Sequence, residues 1–225
     1  MTKPVLDHIA IGAERLEPAL QALAQSLGVR IPLGGKHPIM STHNAVMQSQ
    51  FHGDPNAPCY IEVISSDPDA PLPARPRWFS LDEEATKTRL AKGPAPLCWV
   101  VRCEDIDAML AGLPDDLRAE IGPVINMSRG DLNWRLTVPE TGRLGYGGLL
   151  PVLIEWPPGP HISLNQTNLG ISIRQIELTT PDAAGLEHML SRLDVLHLVQ
   201  VEKGQENIRF HLDISGGETK ILHRG

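Results

Sequence analysis

The sequence predicts an α+β protein built from repeated strand and helix units. Three observations support this: short apolar stretches alternate with amphipathic helical segments, glycine and proline turns separate the strands, and the same order of elements returns along the chain. The 225 residues, 41% of them hydrophobic, suffice for a buried core. We expect units at residues 1–66, 95–160 and 161–225, with a connector at 67–94.

The first unit has the pattern of a βαβββ module. An apolar strand around Leu6–Ile11 precedes an amphipathic helix over residues 14–27. A strand over residues 29–33, a glycine turn, and two further strands around residues 42–48 and 59–64 complete the module. The connector over residues 67–94 begins with a proline-rich linker and continues into a helical segment.

The second unit repeats this order. A strand at residues 96–101 and a helix at 104–113 are followed by two strand-like stretches within 121–139 and a closing strand at 149–156. The chain is therefore expected to contain tandem βαβββ modules. A shorter βαββ unit over residues 161–225 follows them.

Composition excludes several classes of partner. The net charge of −7 argues against nucleic acid or an anionic membrane as the main partner, because both require a basic face. No tract approaches the roughly 20 apolar residues of a membrane span, and the N-terminus lacks a signal-peptide pattern. We expect a cytoplasmic protein with a small-molecule partner. Its three cysteines, all in apolar stretches, are predicted to be reduced.

Two polar residues interrupt apolar strands at similar places. His8 lies in the opening strand of the first unit, and Glu62 lies in its closing strand. A charged group in a buried strand is costly unless a partner, a metal ion or an open cleft accompanies it. Glu155, in the closing strand of the second unit, corresponds in position to Glu62. The three residues are candidates for one functional site.

Five motifs, in this order and spacing, resemble the glyoxalase-like domain family of the vicinal oxygen chelate superfamily, which includes glyoxalases, bleomycin resistance proteins and extradiol dioxygenases. The motifs are Leu6-Asp7-His8-Ile9, Gly34-Gly35-Lys36-His37-Pro38, Thr42-His43-Asn44-Ala45, Tyr60-Ile61-Glu62 and Ile154-Glu155-Trp156. The resemblance covers roughly residues 4–160. It implies paired modules whose curled mixed sheets surround a shared cleft. It also implies a divalent metal held by the first and last strands of each module.

Carried onto this sequence, the resemblance implies that His8, Glu62 and Glu155 bind one divalent metal ion, which is Mn, Fe, Ni, Co or Zn. The fourth expected ligand position falls on Trp99, which cannot coordinate a metal and is assigned to substrate binding. Three protein ligands with water in the open positions are a workable catalytic arrangement. We expect Glu62 and Glu155 also to take part in catalysis, in a lyase or isomerase reaction on a small oxygen-rich substrate.

A second group of polar residues surrounds the glycine turn. His37 is a candidate acid, base or anion ligand, while His43 and Asn44 are candidates for substrate binding. In an iron oxygenase of the His-His-carboxylate type, His43 would be the second histidine ligand. Arg129 and Arg135 offer guanidinium groups that would bind a substrate carboxylate.

Other interpretations remain open at this stage. His8 and the two glutamates would be structural if they hydrogen-bond within the core or face solvent. An extradiol-type dioxygenase or a non-catalytic small-molecule binding protein fits the same resemblance, and a homodimer is possible. Five further histidines have no spacing typical of ligands and are predicted to be surface or packing residues. They are His161, His188, His197, His211 and His223.

Overall fold

A computed structural model describes residues 2–224, which form twelve β-strands and five α-helices. The strands are β1 (Val5–Gly12), β2 (Leu33–His37), β3 (Thr42–Phe51), β4 (Asp54–Ser66), β5 (Ala95–Arg102), β6 (Val124–Arg129), β7 (Leu132–Thr137), β8 (Val152–Glu155), β9 (Ser172–Thr180), β10 (Gln200–Lys203), β11 (Asn207–Asp213) and β12 (Thr219–His223). The helices are α1 (Leu16–Leu27), α2 (Glu84–Leu90), α3 (Ile106–Ala111), α4 (Asp115–Ile121) and α5 (Ala183–Arg192). None of these helices is long and apolar enough to cross a membrane.

All the strands belong to one mixed sheet. Its main order is β12-β11-β9-β3-β4-β1-β5-β8-β7-β6, with β2 beside β3 and β10 beside β9. The central strand β1 runs parallel to β4 and antiparallel to β5, so it joins the first unit to the second. The third unit is attached through β9, which pairs with β3 at Phe51 and Ile173. The predicted α+β class is confirmed, and the exact division of the chain into units stays a prediction.

Helix α1 follows from its apolar spacing. Leu16, Leu20, Leu23 and Leu27 recur every three or four residues and are buried against the sheet. The helix ends at Gly28, whose φ of 74° lies in the left-handed region and whose N–H donates to Ala24 O at 3.0 Å. The apolar repeat therefore determines which face is buried, and the glycine determines where the helix ends.

Two local predictions are wrong. The helix expected over residues 104–113 ends at Ala111, and a second helix, α4, begins directly after Pro114. Proline has no backbone N–H and is tolerated only near a helix start, so it separates the two helices. The strand expected over residues 29–33 and the glycine turn expected at Gly34 and Gly35 are replaced by one strand, β2, which begins at Leu33.

Each face of the sheet has its own hydrophobic core. The larger core contains the buried side chains of α1, α3, α4 and α5 together with one face of the central strands. The smaller core lies on the opposite face and includes Trp78 and Phe79 from the segment that follows β4. All three cysteines are free, as predicted; Cys59 and Cys98 are buried and Cys103 is half-buried.

Candidate functional site

A cleft lies on the face of the sheet that carries the smaller core. The first unit lines it with His8, Asn44 and Glu62, and the second unit lines it with Trp134 and Ile154. The volume open to water-sized groups is about 40 Å³, so the cleft accommodates a small molecule or the small end of a larger one. The shared cleft implied by the resemblance is therefore present.

A β-bulge in β1 directs two neighbouring side chains into one network. Leu6 pairs with Val101 of β5, and His8 pairs with Val100, so Asp7 has no pairing partner of its own on β5. Regular alternation would turn Asp7 and His8 to opposite faces, whereas a bulge re-aims one side chain. Here the Asp7 carboxylate contacts the His8 ring.

Asp7 is a fully buried carboxylate with three donors from separate parts of the chain. Its Oδ1 accepts from His8 Nδ1 at 2.7 Å, and its Oδ2 accepts from His161 Nε2 at 2.9 Å and from Trp156 Nε1 at 3.0 Å. Burial alone would raise the pKa of Asp7, but the hydrogen bonds and charges of the two histidines hold it well below its usual value. Asp7 is therefore a permanent buried anion.

His161 donates to Asp7 because its other ring nitrogen is already an acceptor. Its Nδ1 accepts the backbone N–H of Ser163 at 3.4 Å, which leaves the ring hydrogen on Nε2. The prediction that His161 is a packing or surface residue is corrected on one point, since it is a buried hydrogen-bonding partner of Asp7.

His8 lies between two carboxylates. Its Nε2 is 3.6 Å from Glu62 Oε2, an ion-pair distance slightly longer than a hydrogen bond, and its ring stacks on Tyr60 with centroids 4.3 Å apart. Burial alone would lower the pKa of His8, but the bond to Asp7 and the charge of Glu62 outweigh burial and raise the pKa to about 9. At neutral pH His8 is therefore an imidazolium.

Glu62 presents an ionised carboxylate to the cleft. Asn44 Nδ2 donates to its Oε1 at 2.6 Å, and Asn44 is itself held by the backbone N–H of Gly35 at 2.8 Å. Burial would raise the pKa of Glu62, yet the nearby His8 imidazolium and the Asn44 hydrogen bond keep it below the usual value. The side chain is thus fixed, charged and 5% exposed.

His37 lines the cleft as a neutral ring that holds an arginine. Burial lowers the pKa of His37 to about 4. A guanidinium can only donate, so Arg129 Nη1 donates to His37 Nε2 at 3.3 Å, and the ring hydrogen on Nδ1 faces Thr42 Oγ1 at 3.1 Å. Both ring nitrogens are therefore engaged. This arrangement favours a role in positioning Arg129 over the acid or base role that we expected.

The second unit presents apolar side chains where the first presents charges. Val100 of β5 pairs with His8 of β1. In the first unit, Glu62 lies two residues after the residue of β4 that pairs with His8. In the second unit, Ile154 lies two residues after the residue of β8 that pairs with Val100, so its position corresponds to that of Glu62. Both side chains belong to the smaller core, and Ile154 lines the cleft. Half of the repeated site is therefore hydrocarbon.

Glu155 lies on the opposite side of the sheet from the cleft. Its Oε2 accepts the backbone N–H of Ile106 at 2.7 Å, at the start of α3, and its Oε1 accepts from Arg135 at 3.1 Å. Arg135 also forms an ion pair with Asp107 at 2.6 Å, so Arg135 lies outside the cleft together with Glu155. Glu155 thus stabilises a helix end, and its expected convergence with His8 and Glu62 is not found.

Trp99 and His43 also lie away from the cleft. Trp99 is fully buried in the larger core, where its Nε1 donates to Leu149 O at 3.1 Å. His43 contacts Ser65 Oγ through Nε2 at 2.8 Å, on the side of β3 opposite Asn44. The structure thus brings together His8, Glu62, Asn44 and His37. It does not add the predicted residues Glu155, Trp99, Arg135 and His43 to this group.

Several residues of the cleft, and of the hydrogen-bond network around Asp7 beside it, are not evident from the sequence. Asp7 depends on a bulge, and Trp156 and His161 reach it from about 150 residues further along the chain. Trp78 belongs to the connector, for which only a linker and a helix are predicted. Arg129 is predicted from the sequence as a guanidinium for a substrate carboxylate, but its contact with His37 depends on the fold.

The side chains present do not fit the implied divalent-metal site. Within residues 2–224, no group of three or more histidine, cysteine, aspartate or glutamate side chains is arranged to hold a metal ion. His8 and Glu62 face the cleft, but Val100 and Ile154 occupy the corresponding positions of the second unit. The His-His-carboxylate alternative also lacks its second histidine, because His43 faces away.

Comparison with known proteins identifies the family. A family model described as a glyoxalase-like domain matches residues 6–193. The chain belongs to this family. The resemblance derived from the five motifs is therefore confirmed, and it extends beyond the second unit. No curated protein matches the sequence.

Solved structures are similar to this chain at low sequence identity, and the first of those below has the same fold. A hypothetical protein from Staphylococcus aureus is 14% identical with a TM-score of 0.53, and the match covers 99% of this chain and 85% of that one. Methylmalonyl-CoA epimerase from Streptomyces coelicolor is 19% identical, with a TM-score of 0.42 over 70% of this chain and 100% of that one. The Mycobacterium tuberculosis epimerase is also 19% identical, with a TM-score of 0.41 over 68% of this chain and 88% of that one.

Proposed function

We propose that this glyoxalase-like protein is an enzyme that moves a proton on a small oxygen-bearing substrate, with Glu62 as the base. The observation that supports this proposal is the placement of Glu62. It is an ionised carboxylate, fixed by Asn44 and set against the apolar half of a cleft. Water exclusion strengthens the electrostatic interactions of such a group.

The proposed reaction begins at a C–H bond next to a substrate carbonyl. Glu62 takes the proton, the electron pair of that bond moves toward the carbonyl oxygen, and an enolate forms. The positive charges of His8 and Arg129 lie at the same cleft and stabilise the developing negative charge. Return of the proton to the same carbon gives back the substrate, or its epimer when the proton returns to the opposite face, so atoms and charge balance without a further reactant.

The test is proton exchange. The protein is incubated in D2O with a panel of small 2-oxo acids, ketones and aldehydes, and loss of the C–H signal is followed by proton NMR. We expect exchange above the buffer rate and a decrease of about 10²- to 10⁴-fold in Glu62→Gln. Glu155→Gln is the matched comparison, because the same change is made outside the cleft.

Two outcomes contradict the proposal. Exchange in Glu62→Gln at the rate of the unmodified protein would remove Glu62 from the role of base. Absence of exchange across the panel, together with ligand-induced thermal stabilisation, would support the second candidate, a non-catalytic binding protein. The indole rings of Trp78, Trp134 and Trp156 in the cleft favour that candidate, since they offer flat apolar surfaces to a ligand.

The remaining parts of the proposal concern the whole protein. We propose units at residues 1–66, 95–160 and 161–225, with a connector at 67–94. We also propose a small-molecule partner and a cytoplasmic location. A homodimer remains part of the proposal as well. Size-exclusion chromatography with light scattering tests the dimer directly.

A further inference from the structure

Two residues that line the cleft each carry a buried polar atom with no partner within residues 2–224. The two atoms are the indole Nε1 of Trp78, whose side chain is 3% exposed, and the amide Oε1 of Gln166. An indole N–H can only donate a hydrogen bond, and an amide oxygen can only accept one. Buried polar groups in proteins are nearly always paired, so these two indicate a molecule that the cleft binds.

Arg129 brings an uncompensated positive charge to the same cleft. Its side chain donates to the neutral His37, and among the described residues it forms no ion pair. The rings of Trp78 and His37 pack in an edge-to-face arrangement, with centroids 5.0 Å apart. His37 therefore joins the guanidinium of Arg129 to the ring that carries the unpaired N–H. A guanidinium and an N–H group are both hydrogen-bond donors, and together they favour an anion as their ligand.

The glycine pair in β2 allows this arrangement. A Cβ atom added at Gly35 would lie 2.9 Å from both Cδ and Nη1 of Arg129. One added at Gly34 would lie 2.3 Å from Asn44 Oδ1. The two glycines therefore leave room for the side chain that positions Glu62 and for the side chain that carries the free charge.

From these contacts we infer that the cleft takes a short carboxylate that also carries a hydroxyl group beside a ketone. Arg129 and the Trp78 N–H bind the carboxylate oxygens, and the hydroxyl donates to Gln166 Oε1. The small volume of the cleft limits the ligand to a few heavy atoms. That the bound acid is also a substrate rests on the proposed function. In that case the C–H bond on the carbon between the hydroxyl and the ketone faces Glu62.

Three small molecules test the two recognition elements separately. Hydroxypyruvate has both the carboxylate and the hydroxyl, pyruvate lacks the hydroxyl, and hydroxyacetone lacks the carboxylate. Binding is measured by calorimetry with Glu62→Gln, so that turnover does not interfere. We expect hydroxypyruvate to bind tightest, with each of the other two weaker by roughly tenfold or more.

Variants assign each contact to a residue. Trp78→Phe keeps the ring but removes the N–H, and should weaken both acids without affecting hydroxyacetone. Gln166→Leu should abolish the preference for hydroxypyruvate over pyruvate. Arg129→Gln should abolish the preference for hydroxypyruvate over hydroxyacetone. Arg174→Gln, in the third unit and paired with Asp213, is the matched control and should change neither preference.

The results separate this inference from the proposed function. Equal binding of the three molecules, or unchanged preferences in Arg129→Gln and Gln166→Leu, would overturn the inference. Proton exchange of neutral substrates would then still support the proposed function. Tight binding of hydroxypyruvate that depends on Arg129, without exchange by the unmodified protein, would support the inference and contradict the function.

Discussion

The two halves of the cleft come from repeated units but have opposite chemistry. The first unit supplies His8 and Glu62 from β1 and β4, and the second supplies Val100 and Ile154 at the corresponding positions of β5 and β8. The first half presents charged side chains to the cleft, whereas the second presents hydrocarbon. The difference shows that the repeat preserves strand positions while the side chains at those positions have diverged.

The apolar half strengthens the polar half. Charges next to hydrocarbon attract each other more than charges in water, which is why the Asp7, His8 and Glu62 groups remain ionised together. The same surroundings make each of these charges costly once its partner is removed. Removing a buried charged partner should therefore destabilise the protein more than removing an exposed one.

Asp7→Ala should cause the largest loss of stability. The change leaves the donors of His8, His161 and Trp156 without their acceptor, and removing one member of a buried charged group costs about 3–5 kcal/mol. The free energy of unfolding is measured by urea denaturation. Asp107→Ala, which breaks an exposed pair with Arg135, is the control and should cost less than about 1 kcal/mol. Similar losses in both variants would contradict a buried Asp7.

The second prediction concerns pH. The pKa of His8 rises from 6.5 unfolded to about 9 folded, so its stabilisation is complete below pH 6.5 and is lost as the pH rises through 9. The loss is on the order of 3 kcal/mol. Unfolding free energies measured between pH 6 and 10 should decrease accordingly, and the slope should largely disappear in His8→Gln. A slope that persists in this variant would place its origin elsewhere.

A smaller effect is expected from Glu155→Ala in the second unit. This variant removes a carboxylate that accepts the first N–H of α3, and a lost helix cap costs about 1 kcal/mol. Thermal unfolding measures the loss. Metal content, determined by elemental analysis of freshly purified protein, should equal that of the unmodified protein. Loss of bound metal in this variant alone would restore Glu155 to the predicted ligand set.

Much of the fold could be predicted from sequence because strand and helix periodicities are local. The family motifs also contain His8, Glu62, Asn44 and His37, and all four line one cleft. Trp99 and Glu155 lie one residue away from Val100 and Ile154, which correspond in position to His8 and Glu62. In a strand, one residue is the difference between the two faces.

The rest of the site depends on features that no local pattern records. The bulge that turns Asp7 toward His8 arises from the pairing of β1 with β5, which are separated by about 90 residues. His161 meets Asp7 across a sequence separation of 154 residues. The unpaired N–H of Trp78 becomes visible only when its surroundings are known.

The distribution of the indole rings gives the protein an internal optical probe. Of its four tryptophans, Trp78, Trp134 and Trp156 line the cleft, while Trp99 is sealed in the opposite core. Intrinsic fluorescence of the unlabelled chain should therefore respond to occupancy of the cleft. The emission of Trp99, read in a variant that lacks the other three, should report only on whether the larger core is intact.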